Sequence, residues 1–135
     1  MSARLTLCVL VVVASISVGA TTAGASPSPF TGAWRAVDPD DGSTLMALIG
    51  APNAAGLLDL TFIDQYASAC GAPATAIGSG TITGSRFTAV VDVRCGGALL
   101  VSDVEFEFDV SGDTLVASGL VYTRVGSGKQ FGAQP

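Results

Sequence analysis

The feature that most constrains this sequence is a succession of short apolar runs separated by turn signals. Between residues 31 and 124, stretches rich in Val, Thr, Leu, Ile and Phe alternate with clusters of Gly, Ser and Asp, and no window keeps a helical apolar period. This pattern is typical of antiparallel strands joined by hairpins. It predicts strands near residues 31–38, 43–50, 57–65, 74–83, 86–95, 98–110 and 113–124.

Three turn signals predict strand registers that agree with one another. Two-residue turns at Gly84-Ser85, Gly96-Gly97 and Ser111-Gly112 would keep the apolar side chains on one common face, whereas a slip by one residue would mix the faces. The predicted apolar pairs are Ile82 with Phe87, Val93 with Leu100, Ala89 with Val104, Phe87 with Phe106, Phe108 with Leu115, and Phe106 with Ala117. On the opposite face, Arg86 would lie against Glu107.

These registers predict an all-β domain, a single antiparallel up-and-down meander of about seven or eight strands that closes, or nearly closes, into a small barrel. The predicted inward-facing residues are Leu58, Leu60, Phe62, Phe87, Ala89, Val91, Val93, Leu100, Val104, Phe106, Phe108, Val110, Leu115, Ala117 and Val121. A further inward series is mostly very small, which favours either sharp curvature or a loose edge strand. It consists of Ala74, Ala76, Gly78, Gly80 and Ile82.

The N-terminus has the features of a secretory signal peptide. Arg4 precedes the uncharged run 5–18, which is shorter than the roughly 20 residues of a membrane span and suits a signal core. Ala23-Gly24-Ala25 is a small-x-small cleavage site, Val18-Gly19-Ala20 is a second candidate, and an uncleaved anchor is the alternative. The predicted organisation is a signal peptide (1–25), an extended lead (26–30), a β-barrel domain (31–124) and a flexible tail (125–135).

Cleavage would produce a secreted protein, extracellular or in the cell envelope, without a stable membrane span. Cys8 would be lost with the signal, which leaves Cys70 and Cys95 as an even pair. In an oxidising compartment such a pair is expected to form a disulfide, and the alternative is two buried free thiols. The use of Arg over Lys, with much Ala, Gly and Val, is typical of a high-GC bacterial coding sequence.

Composition argues against several classes of function. The chain of 135 residues has no histidine, which removes Ser-His-Asp and Cys-His catalysis and histidine metal ligands. Its net charge of -5 disfavours binding to nucleic acid. No glycine-rich phosphate loop follows a strand and opens a helix. We therefore expect no catalytic residue, no cofactor and no metal site.

Two acidic segments invite a functional interpretation. Three carboxylates in residues 38–42 could suggest calcium, but their spacing differs from an EF-hand loop and fits a turn better. Asp103, Glu105, Glu107 and Asp109 alternate with apolar residues, so they share one strand face. Paired acids also occur in glycosidases, but we interpret this set as a solvated stripe and a possible interaction surface for a basic partner.

Three residues near the ends of the domain resemble a known pattern. Gly32 and Trp34 open the first strand, and Arg124 lies on the last. This arrangement resembles lipocalins and related calycin-like barrels, in which the arginine packs over the tryptophan and closes the barrel base. The resemblance implies that Gly32, Trp34 and Arg124 have that structural role. Shorter relatives of similar size are avidin-like proteins and secreted bacterial metalloprotease inhibitors, and the latter insert an N-terminal segment into the protease.

The sequence therefore predicts a secreted, non-catalytic binding or interaction barrel whose partner is an unknown protein or a small apolar ligand. The interior could hold such a ligand, or it could be filled by Phe62, Phe87, Phe106 and Phe108. The alternatives are a protease-inhibitor-like protein that uses Ser26 to Phe30, and a structural envelope protein.

Overall fold

Eight antiparallel strands form a closed barrel in chain order in the computed structural model, which describes residues 28–126. The strands are β1 (Gly32–Val37), β2 (Thr44–Ile49), β3 (Leu58–Ala67), β4 (Ala72–Thr83), β5 (Arg86–Cys95), β6 (Ala98–Ser111), β7 (Thr114–Ala117) and β8 (Leu120–Arg124). The predicted all-β, up-and-down barrel is confirmed. The predicted signal peptide, the start of the lead and most of the tail lie outside the described residues.

The meander gives the barrel two different ends. We call the end with the β2–β3, β4–β5 and β6–β7 links the base, and the end with the β1–β2, β3–β4, β5–β6 and β7–β8 links the mouth. Within residues 28–126 there is no helix with the length and apolarity needed to cross a membrane.

The β4–β5 hairpin has the predicted register, with Ile82 opposite Phe87. In the β5–β6 hairpin the Gly96-Gly97 turn is also as predicted, but farther from the turn the register moves by two residues, so that Phe87 pairs with Phe108 instead of Phe106. Because the shift is even, the apolar face is kept. Two further pairs also move by two residues, with Ala89 opposite Phe106 and Arg86 opposite Asp109. Val93, between the two register changes, moves by one and lies opposite Val101.

The physical reason for this shift is an irregularity in β6. The ladder changes register on both sides of Val93, and Asp103 adopts a left-handed φ of 57°. Asp is one of the few residue types that tolerates this conformation. Every residue from Ala98 to Asp103 is exposed. The prediction that Leu100 faces the core is therefore wrong, since 49% of its surface is exposed.

A second correction concerns the last predicted strand, which is two strands. Ser118 and Gly119 both have positive φ, 50° and 76°, as a tight type I′ hairpin turn requires. The turn restarts the inward-outward alternation in β8, so Tyr122 is buried and Val121 is 56% exposed, contrary to its predicted place in the core. The preceding turn is Gly112-Asp113, which places Leu115 opposite Val110 instead of Phe108.

Several of the largest fully buried side chains lie at the base, among them Trp34, Phe30 and Phe87. Most predicted inward residues are buried or partly buried there and along the barrel wall. Several further residues from the first two strands and the segment before them are buried although they were not predicted to be, namely Phe30, Ala36, Leu45, Ala47 and Ile49. Residues 28–30 are not an extended lead: Thr31 N donates to Ser28 O at 3.1 Å, and the Phe30 ring is fully buried.

Gly78 and Gly80 allow close contact between β4 and β5. A Cβ at Gly78 would collide with the Val90 carbonyl, and one at Gly80 with the Thr88 carbonyl. Glycines at such sites let a small barrel curve sharply. Of the two interpretations open at the sequence level, the structure therefore favours curvature.

We expect Gly78→Ala and Gly80→Ala each to lower the free energy of unfolding by roughly 1–3 kcal/mol, because the clash involves backbone that cannot move independently. Gly50→Ala is the matched control. A Cβ there would meet Asp59 atoms at an ordinary 3.8 Å, so its effect should stay within about 0.5 kcal/mol. Urea denaturation measures all three, and equal losses would contradict this explanation.

Candidate functional site

The base is closed by the residues that the calycin resemblance singled out. The Arg124 guanidinium carbon lies 4.1 Å from the centre of the Trp34 ring, and Trp34 is completely buried. The guanidinium also donates to the carbonyl of Thr31 and, at 2.9 Å, to that of Pro29. This one side chain therefore links the last strand to the segment that precedes the first.

Gly32 leaves room for that guanidinium. A Cβ at Gly32 would lie 2.5 Å from an Arg124 nitrogen, and its φ of 138° is one that other residues rarely adopt. Beneath the ring, Trp34 Nε1 donates to Phe30 O at 2.8 Å, and Phe30 packs against Phe87 at 5.8 Å between ring centres. These contacts are structural, and they hold the segment before β1 against the core.

The two cysteines of the domain are joined near the mouth. Cys70 lies in the β3–β4 turn and Cys95 ends β5, with Cα atoms 5.6 Å apart at disulfide distance. The turn itself is short, because β3 continues to Ala67 and β4 begins at Ala72. The link between these strands is therefore confined to residues 68–71.

The acidic stripe divides into two parts. Arg86 donates to Asp109 at 2.9 Å and forms an ion pair with Glu107 at 3.4 Å. The hydrogen bond from Arg86 holds the pKa of Asp109 below its ordinary value. Glu105 and Asp103 form no ion pair with a basic residue between positions 28 and 126.

Residues 38–42 form the expected turn. Asp38 Oδ1 accepts from Asp40 N at 2.8 Å, Gly42 N donates to Asp38 O at 2.9 Å, and Gly42 has a φ of 76°. In the part of the chain that the structure describes, no three His, Cys, Asp or Glu side chains are grouped as a metal site would need.

A cavity of about 770 Å³ opens at the mouth. It exists because β6 has 14 residues and β7 only 4, and the two pair only from Asp109 to Ser111. Over residues 98–108 the β7-facing edge of β6 therefore has no strand beside it. The cavity reaches the outside through this gap, which explains why the outward-facing Glu105 and Glu107 also border it.

Aromatic side chains form the wall of the cavity. Phe62 meets Phe106 edge-on at 5.2 Å and Tyr122 at 6.5 Å. Phe108 lies 5.9 Å from Tyr122 and forms the floor. The sequence left open whether phenylalanine side chains fill the interior or leave space for a ligand, and the structure combines both. Phe87 and Phe108 fill the lower part, whereas the partly buried Phe62 and Phe106 leave the upper part open.

Tyr122 supplies the most unusual group of this cavity. Only 3% of its surface is exposed, yet its hydroxyl has no hydrogen-bond partner among residues 28–126. No completely enclosed polar side-chain atom in that range lacks a partner, so the hydroxyl must be reachable from the cavity it lines. Burial, followed by the nearby charges of Asp64 and Asp38, raises the pKa of Tyr122 to about 12.

Asp38 and Asp64 complete the rim. Each is half-buried at the mouth, and each uses Oδ1 to accept a backbone hydrogen bond, from Asp40 at 2.8 Å and from Tyr66 at 2.9 Å respectively. Their Oδ2 atoms form no hydrogen bond, and neither carboxylate an ion pair, with the described residues. The cavity therefore combines an aromatic wall with uncompensated negative charge.

Sequence reasoning found only part of this site. Phe62, Phe106 and Phe108 were predicted to face inward, but Asp64 carried no signal of its own. Tyr122 was missed because its orientation depends on the Ser118-Gly119 turn, a dipeptide that is itself a turn signal.

Comparisons of the chain with protein-family models, with curated proteins and with solved structures give no significant match. The likeness to calycin-like barrels is therefore one of architecture, an eight-stranded antiparallel closed barrel.

We expect Arg124→Ala to lower the free energy of unfolding by roughly 2–4 kcal/mol, through loss of the cation–π contact and two charge-assisted hydrogen bonds. The free energy of unfolding of Arg124→Lys should lie between those of the native protein and of Arg124→Ala. Arg35→Ala is the control, since Arg35 is exposed and makes one long 3.4 Å hydrogen bond. Thermal and urea unfolding measure these effects. A loss at Arg124 no larger than at Arg35 would refute the closing role.

Tyr122 predicts a pH dependence at the alkaline end. Because the folded state keeps this phenol protonated to about pH 12, whereas an unfolded tyrosine titrates near 10, its contribution to stability is complete below pH 10. That contribution is lost as the pH rises towards 12. Ultraviolet titration of the two tyrosines should show a late step that Tyr122→Phe removes. A late step that persists in the variant would contradict the assignment.

Proposed function

We propose that this protein is a non-catalytic binding barrel that holds a small, largely apolar ligand in the cavity at its mouth. The observation that carries the proposal is the contrast between the two ends of the interior. The base is filled by Trp34, Phe30 and Phe87, whereas a cavity of about 770 Å³ opens at the mouth and through the gap beside β6. Sites for small molecules are typically concave and of this size, and they combine apolar walls with a few placed polar groups.

The chemistry of the cavity favours binding over catalysis. A phenol with a pKa near 12 is a poor general acid or base at neutral pH, and the chain has no histidine to activate a nucleophile. Aromatic rings around a preformed space instead supply apolar contact without a large ordering cost. The signal-like features of residues 1–25 support a site of action outside the cell or in its envelope.

The arrangement at the base supports a relationship to calycin-like barrels. Arg124 over Trp34, with Gly32 leaving space for the guanidinium, is the feature that the resemblance implied. The inhibitor-like alternative is less favoured, because the Phe30 ring lies in the core. Residues at the end of the proposed inserting segment would have to leave the barrel base to reach a protease.

We expect the purified protein to bind the neutral fluorescent probe N-phenyl-1-naphthylamine, with enhanced and blue-shifted emission. Ala117→Trp should abolish binding, because Ala117 lines the cavity and the indole would fill it. Val121→Trp is the matched control, since Val121 faces outward on the neighbouring strand. Binding that survives in Ala117→Trp, or that is absent in the native protein, would refute the proposal.

A second candidate function is contact with another protein through the tip of the β5–β6 hairpin. Leu99, Leu100 and Val101 are each about half exposed there, at 53%, 49% and 45%, and the adjoining edge of β6 is unpaired. Free strand edges of this kind can accept an extended segment. Such a partner would still bind the Ala117→Trp protein, whose cavity is filled.

A further inference from the structure

We propose that the ligand of the mouth cavity is an organic cation, an ammonium group on an apolar, ring-sized body, recognised by Asp38, Asp64 and the Tyr122 hydroxyl. This inference rests on the proposed binding function and specifies the chemical class of the ligand. It depends on the juxtaposition of two carboxylates, an aromatic wall, and a hydroxyl that opens to the cavity from an otherwise buried side chain and has no hydrogen-bond partner among residues 28–126.

The charges that border the cavity are of one sign. Asp38, Asp64, Glu105, Glu107 and Asp109 line it, and no Lys or Arg between positions 28 and 126 does. Arg86 lies on the outer face and compensates only Glu107 and Asp109. The inner pair, Asp38 and Asp64, therefore leaves its charge directed at the space above the aromatic floor.

The hydrogen-bonding groups match an ammonium donor. The Oδ1 atoms of Asp38 and Asp64 are engaged by backbone N–H groups that hold the carboxylates in place, and both Oδ2 atoms remain available as acceptors. The oxygen of Tyr122 can accept a further hydrogen bond. An ammonium group carries up to three N–H donors, and hydrogen bonds between charged partners are the strongest of this type.

The apolar part of such a ligand would contact the rings below. Phe62 and Phe106 present their partly exposed surfaces to the cavity, so an aromatic or branched body can pack on them while a cation above them gains from the ring quadrupoles. An anionic ligand would face uncompensated like charge at the rim, and a neutral ligand would leave both carboxylates without a partner.

Three probes with the same ring separate charge from shape: 1-naphthylmethylammonium, 1-naphthylmethanol and 1-naphthylacetate. Isothermal titration calorimetry at pH 7 should give the ammonium about tenfold or greater affinity over the alcohol, and the carboxylate the weakest binding. In Asp38→Asn/Asp64→Asn the ammonium should bind only as well as the alcohol, whose own affinity should not change.

The matched control is Asp59→Asn/Asp113→Asn. It removes the same amount of charge from exposed positions on the outer wall and in the β6–β7 turn, and it should keep the preference for the ammonium. Circular dichroism of both double variants verifies that the barrel remains folded.

The outcomes separate the two proposals. Equal affinity for ammonium and alcohol would overturn the cation inference and leave the binding function standing. The cation inference would also fail if the preference persisted in the Asp38/Asp64 variant, or if it were lost equally in the control. If none of the three probes binds and N-phenyl-1-naphthylamine does not bind either, the binding function fails and the cation inference with it.

Discussion

The contact between the Arg124 guanidinium and the Trp34 ring is the interaction on which the closed barrel depends. The pairing that closes the barrel is short, since β1 and β8 share only two register pairs, at Trp34 and Arg35. Arg124 stabilises this short pairing through its contact with the Trp34 ring and through hydrogen bonds to two backbone carbonyls of the segment before β1. The desolvated ring face makes the cation worth more there than on an open surface.

Because one end is closed so firmly, the stability of this fold does not have to depend on the cavity in which we propose binding. Phe30, Trp34 and Phe87 occupy the base with fully buried rings, so the upper half does not have to be filled to keep the chain folded. The stacked pair of Phe87 and Phe108, 6.2 Å between ring centres, is the boundary between the filled and the open part. Side chains above it are the ones that the proposed binding function would use, and the core does not require them.

The fold class and the hairpins were predictable from the sequence because both follow from local rules. Alternating polarity fixes which face is buried, and the Gly84-Ser85 turn fixes the register of β4 against β5. Two local events were not predictable by that reasoning. The irregularity around Val93 and Asp103 depends on how β6 bends around the barrel, and a turn signal as short as Ser118-Gly119 competes with the strand propensity of its neighbours.

The candidate site depends on those two events more than on any motif. The Ser118-Gly119 turn orients Tyr122 inward and makes β7 short, and the short β7 leaves the wall open beside β6. Asp38 and Asp64 are far apart in the chain and meet at the mouth only because β1 and β3 both end there. Closure at the base was visible in Gly32, Trp34 and Arg124, whereas the site at the other end is a product of tertiary geometry.

The Cys70–Cys95 link makes one side of the barrel mouth more rigid than the other. On its side, three consecutive strands are joined by long ladders and by a covalent bond. Across the opening, the β7–β8 hairpin has only three register pairs to β6 and four between its own strands. Thermal fluctuations concentrate where the fewest contacts must break. The β7–β8 side of the rim is thus the more easily deformed, and a ligand of the proposed site would enter and leave by displacing it.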